Sequence, residues 1–94
     1  LGQVRELSFD QAERRIARTL LNLAAQYGRP CPEGVRISIR FTHQDVAGII
    51  NTSRITTNKV MKRMEEEGIL LKREGRYILR ALPALERLAR GEGQ

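Results

Sequence analysis

Two helix-start signals placed close together, with a tight gap between them, constrain this chain most. Thr42-His43-Gln44-Asp45 has the form of an N-capping pair, a hydroxyl residue followed three positions later by a carboxylate. Behind it, Val46, Ala47, Ile49 and Ile50 make a short apolar helix that stops near Asn51. Ser53 then caps a further helix, which runs to about Glu67 and is closed by Gly68. Two helices joined through three or four residues have helix-turn-helix spacing. Such a unit needs a small residue where the helices cross, which Ala47 supplies. It also needs a turn residue that tolerates positive φ, and Asn51 is suited to it.

At 100° per residue, Thr57, Val60, Met61 and Met64 form the inward face of the third helix. The Thr57 methyl can pack and its hydroxyl can bond a carbonyl one turn back. The outward face near the N-terminus holds Arg54, Ile55, Asn58 and Lys59. These are major-groove reading chemistries: Arg or Lys to guanine, Asn to adenine, an apolar side chain against a thymine methyl. Thr42, His43, Gln44, Ser53, Thr56 and Lys62 lie where hydroxyls, amides, cations and free helix N–H groups suit backbone phosphate. Ser and Thr form helix poorly in interior positions, so their crowding into these first turns fits contact with a ligand better than helix stability.

The flanking segments complete the outline. Ser8 and Gln11 form a capping box for a first helix, about Phe9 to Tyr27, ended by Gly28. "GRPCPEGV" has two Pro and two Gly and is expected to be an exposed loop. "RISIR" alternates and predicts a short strand. "ILLKREGRYILR" predicts a hairpin turning at Glu74-Gly75, with Lys72, Arg73 and Arg76 as further phosphate contacts. "LPALERLAR" predicts a last helix with Pro83 in its first turn. The expected fold is mainly α with a small antiparallel β-sheet (α+β), a winged helix-turn-helix. The wing is residues 69–80 and the recognition helix is 53–67.

Composition agrees. The 94 residues carry a net charge of +6, and residues 36–80 hold ten Lys/Arg against five Asp/Glu, three of those acids in Glu65-Glu66-Glu67. That balance favours a polyanionic partner. With four aromatics and no Trp, the core must be aliphatic. No apolar run is long enough for a membrane helix, so no membrane association is expected. The single Cys31 fits a reducing cytoplasm. One His, one Cys and no phosphate-cradling glycine loop provide no catalytic centre and no metal set, so an enzyme is not expected. Winged helices also serve as protein-interaction modules, and other winged-helix families bind DNA; both alternatives stay open on these residues.

Three stretches carry a family resemblance: "RIARTLLNLA" (15–24), "FTHQDVAGIINTSRITTNKVMKRMEEEGIL" (41–70) and "GRYIL" (75–79). Together they make the chain similar to the C-terminal DNA-binding domain of the Crp/Fnr family of bacterial transcription regulators. The resemblance implies a homodimer with an N-terminal effector domain. Residues 1–8 would then be the hinge or the end of the dimerisation helix, and 9–94 the DNA-binding domain. A start at Leu1 rather than Met fits a piece of a longer chain. No cofactor is expected in this domain, and the effector of the whole protein is left unnamed. The resemblance also implies RNA polymerase contact through loop 28–34. The family commonly carries Arg-Glu-Thr-Val-x-Arg in its recognition helix, where this chain has Arg54-Ile55-Thr56-Thr57-Asn58-Lys59. Ile55 cannot accept a hydrogen bond from cytosine as Glu does, so a different preference is expected at that base pair. The global nitrogen-regulator branch similarly has an aliphatic residue there.

Overall fold

In a computed structural model, described over residues 6–92, helix α1 (Phe9–Tyr27) begins with the expected capping box. The Gln11 N–H donates to Ser8 Oγ (3.2 Å) and the Ser8 N–H donates to Gln11 Oε1 (3.0 Å). The first five residues, most of the expected hinge, lie outside the described residues. After α1 come β1 (Gly28–Cys31), β2 (Gly34–Ile37), α2 (His43–Ile50), α3 (Arg54–Glu66), β3 (Leu70–Arg73), β4 (Arg76–Leu79) and α4 (Leu82–Ala89). The four strands form one antiparallel sheet in the order β1-β2-β4-β3. Among the described residues, four helices around a small sheet make the expected α+β winged helix.

The expected loop is corrected. Residues 28–31 are strand β1, and with β2 they form a hairpin turning at Pro32-Glu33. Pro30 is compatible with a strand here because β1 is the sheet edge, where a missing N–H costs no ladder bond. The strand expected over 36–40 sits earlier, at Gly34–Ile37, and Ser38 to Arg40 lead out of the sheet. Gly34 permits the early start. Its φ is +150°, and a Cβ there would run into the Leu79 carbonyl as β2 pairs with β4. The wing turns where expected, with positive φ at both Glu74 (54°) and Gly75 (80°), as a two-residue hairpin matched to strand twist requires.

One core joins all layers, aliphatic as expected except for Phe41 and Tyr77, whose ring centroids lie 5.0 Å apart. α1 contributes Ala12, Ile16, Ala17 and Leu20; α2 contributes Val46 and Ile50; α3 contributes Val60, Met61 and Met64. The sheet adds Ile37, Leu70, Tyr77 and Leu79, and α4 lays Leu85 and Leu88 into the same cluster. Arg18 Nε donates to the Ala89 carbonyl (3.1 Å), tying the end of α4 to α1. This packing fixes α2 and α3 from behind and leaves their other faces in solvent.

Candidate nucleic-acid interface

The α2–α3 corner is held by backbone conformation and by threonines. Asn51 is left-handed (φ 59°, ψ 51°) and its N–H bonds the Ala47 carbonyl. Ala47 is buried at the crossing, where a larger side chain would force the helices apart. Thr57 is fully buried, and its hydroxyl donates to the Ser53 carbonyl (3.0 Å), as the inward face predicts. With Val60, Met61 and Met64 also buried, α3 cannot rotate, so its outward set is determined.

That set is Arg54, Ile55, Asn58 and Lys59, all exposed. Ile55 is 67% exposed and therefore takes no part in the core. Asn58 is not free: its Oδ1 lies 2.9 Å from His43 Nδ1. The other His43 nitrogen lies 3.5 Å from Glu65 Oε2, and the ring stacks on Tyr77 with centroids 6.3 Å apart. Burial, then the Glu65 charge, push the Tyr77 phenol up to about 12, so it stays neutral.

The expected phosphate contacts divide into those left open and those already engaged. Thr42 and Gln44 are exposed at the start of α2, and the Thr42 hydroxyl accepts from the Asp45 N–H. Lys62 is exposed on α3. Ser53 and Thr56, half-buried at the start of α3, both donate to Glu6 Oε1, at 3.3 and 2.7 Å. In the wing, the exposed Lys72 places its ammonium 5.4 Å from the Tyr77 ring centroid. Arg73 pairs with Glu33 of the β1–β2 hairpin. That guanidinium holds the Glu33 carboxyl below its ordinary value. Arg76 is half-buried and donates from Nε to the Ser38 carbonyl (2.7 Å), bracing the wing against the chain leaving β2.

Two further side chains border the site. Glu6 reaches α3 across 47 and 50 positions of chain, and Arg40 lies against the wing turn at Gly75. Neither contact has a local signal. An acidic residue near a helix start usually belongs to that helix, and Arg40 falls in the strand expected over 36–40, with nothing to tie it to the wing. Among the described residues, no cluster of His, Cys, Asp and Glu has a metal-holding arrangement, and no helix is long and apolar enough to cross a membrane.

Residues 14–88 match the family model of the Crp-like helix-turn-helix domain. The chain belongs to this family. Among curated proteins, this Crp-like domain is 36% identical over 69 residues to the cAMP-activated global transcriptional regulator CRP of Salmonella typhimurium, covering 72% of this chain and 32% of that protein. It is 30% identical over 56 residues to the global nitrogen regulator of a Synechocystis strain, covering 60% of this chain and 25% of that protein. Among solved structures, the Thermus thermophilus catabolite activator protein superposes with a TM-score of 0.72 at 30% identity, over 89% of this chain and 36% of that one. The CO-dependent transcription factor CooA of Carboxydothermus hydrogenoformans superposes with a TM-score of 0.79 at 23% identity, over 86% of this chain and 38% of that one, a likeness of fold. The Crp-like domain thus spans about a quarter to a third of the curated relatives it matches.

Proposed function

We propose that this Crp-like domain binds double-stranded DNA sequence-specifically as part of a bacterial transcription regulator. α3 enters the major groove, with Arg54, Ile55, Asn58 and Lys59 toward base edges. The start of α2 and Lys72 of the wing lie along the phosphates. One observation carries this reading. The buried face of α3 fixes its rotation, and the side thereby presented to solvent is a mixed cationic, amide and aliphatic set rather than a plain charged surface. A protein-interaction module has no need of that chemistry, and the family assignment supports the DNA reading over other winged-helix families.

The whole protein acts as a homodimer in the cytoplasm. Its two recognition helices then meet half-sites one helical turn apart, about 34 Å. The β1–β2 hairpin is a second contact surface, for RNA polymerase, with Arg29 and Pro30 exposed on β1 and Pro32 at the turn. Replacing Arg29 by Ala should leave DNA affinity intact and lower transcription in a reconstituted assay.

The direct test is duplex binding by fluorescence anisotropy across a randomised site and a salt series. The expected result is a preferred site with log affinity falling linearly against log salt, by about 0.9 per phosphate contact. Binding that ignores sequence, or an absence of duplex binding at low salt, would overturn the assignment.

A further inference from the structure

Asn58 reaches the outward face already held by another side chain, and the partner is a titratable one. His43 opens α2, and its imidazole bridges Asn58 and Glu65 on α3, at 2.9 Å from the first and 3.5 Å from the second. The Tyr77 ring stacks beside it, at 27° to its plane with centroids 6.3 Å apart.

Proton counting separates two arrangements. Glu65 as a carboxylate can only accept, and a neutral imidazole has a single N–H to give. Giving it to Asn58 would turn a bare nitrogen lone pair toward the Glu65 carboxylate, which is repulsive. Giving it to Glu65 leaves Nδ1 as an acceptor. Asn58 must then turn its NH2 toward the ring and its oxygen outward. An imidazolium donates at both nitrogens. Asn58 then turns its oxygen to the ring and its NH2 outward. The two amide orientations fill the same volume, so neither disturbs the packing.

We propose that His43 determines which edge of Asn58 is offered to the DNA: an acceptor when His43 is neutral, a donor when it is protonated. This rests on the reading of α3 as the recognition helix. A free Asn can offer both edges to adenine at once, accepting from N6 and donating to N7. An Asn with one edge committed to His43 offers only the other. With the oxygen outward it suits the N–H donors of adenine N6 or cytosine N4; with the NH2 outward it suits the acceptors guanine O6 and N7, adenine N7 or thymine O4, so cytosine is favoured only in the first state and guanine or thymine only in the second. The base preferred at one position therefore changes with proton concentration. Histidine is the side chain whose charge ordinarily changes between about pH 5 and 8. Glu65 on α3 lies 3.5 Å from the ring, and Lys72 of β3 holds its ammonium over the neighbouring Tyr77 ring; Asp45 stands two positions along α2 and Lys62 one turn beyond Asn58 on α3.

Two measurements test this. In the free protein, nitrogen chemical shifts of the His43 ring and the Asn58 side chain are followed from about pH 5 to 8. The neutral ring should carry its proton on Nε2, and the Asn58 amide signals should move with the His43 titration. A neutral ring protonated on Nδ1, or an Asn58 amide that does not respond, overturns the proposal. In the second measurement, a duplex library is selected at both ends of that range. Wild type should change its preference at one base pair by about three- to tenfold, the worth of one hydrogen bond. His43→Ala should show one preference at both pH values, whatever its overall affinity. If wild type selects the same sequence throughout, the switch is refuted while DNA reading by α3 stands. If wild type selects no sequence at either pH, the recognition helix assignment fails and takes this proposal with it.

Discussion

The Thr56 hydroxyl donates a 2.7 Å hydrogen bond to Glu6 Oε1, so a carboxylate from the segment before α1 sits on the first turn of α3. The Ser53 hydroxyl reaches the same oxygen at 3.3 Å. Next to it, the Leu7 N–H donates to the buried Thr52 hydroxyl oxygen (3.3 Å), and the Leu7 side chain is itself in the core. The segment is thus anchored, and its acidic group occupies the helix end where a phosphate would gain most from the dipole. Glu6→Gln should raise affinity for all duplexes about two- to fivefold, corresponding to about 0.3–1 kcal/mol for a charge at a helix terminus. Thermal stability should fall by a comparable amount. Anisotropy titrations and melting curves on the same preparations check both. An unchanged affinity would show that the Glu6 carboxylate does not compete with phosphate for this helix end.

Arg54 and Lys72 should differ in kind. Arg54→Ala is expected to cost about 1–3 kcal/mol on the preferred site and to relax preference at one base pair. Lys72→Ala should weaken all sequences alike and lower the salt slope by about one. Cognate and scrambled duplexes compared at two salt concentrations separate the effects. Equal losses for Arg54→Ala on both duplexes would make it a phosphate contact.

Ile55 should contribute specificity without stability. It is 67% exposed, so Ile55→Ala removes little packing and should barely shift the melting temperature. Loss of its contact with a thymine methyl should cost roughly 1 kcal/mol on the preferred site, near the value of one buried methylene. Replacing that thymine by uracil should weaken wild type and leave Ile55→Ala unaffected. An equal response of both proteins would remove Ile55 from the groove.

The Glu33–Arg73 pair should restrain the wing. The hydrogen bond from Arg73 lowers the Glu33 carboxyl, so Glu33 stays charged at neutral pH. A depressed carboxylate contributes stability above its unfolded-state value and loses it as pH falls through the folded one. The pair therefore holds at neutral pH and releases Arg73 only on acidification below the ordinary carboxylate range. Both side chains are solvent-accessible, so the stability involved is small. Glu33→Ala should free Arg73 at neutral pH, raise affinity for every duplex and steepen the salt slope by about one. A salt slope equal to that of wild type would mean that Arg73 does not reach phosphate even when released.

The helices, the turn between α2 and α3, and the outward set on α3 are legible in the residues alone. These follow from interactions a few residues long. Ser8 with Gln11, Thr42 with Asp45, and Ser53 with Thr56 each satisfy N–H groups within one turn. The inward face of α3 repeats at the helical period, so its opposite face could be read without knowing what covers the first. Asn51 carries its left-handed preference in its own side chain. Strand β1 was not legible, because Gly28, Pro30 and Pro32 are loop residues by every local measure. Only the edge position beside β2 makes Pro30 harmless there. The commitments of the polar residues were equally hidden. Arg73 to Glu33, Arg76 to Ser38, Glu6 to Ser53 and Thr56, and His43 to Asn58 join groups from separate elements. Which of the cations and amides predicted to meet DNA stand open, and which are already engaged, follows from contacts between elements far apart in the chain. A side chain's charge is written in its residue type, but its partner depends on where packing brings distant elements together.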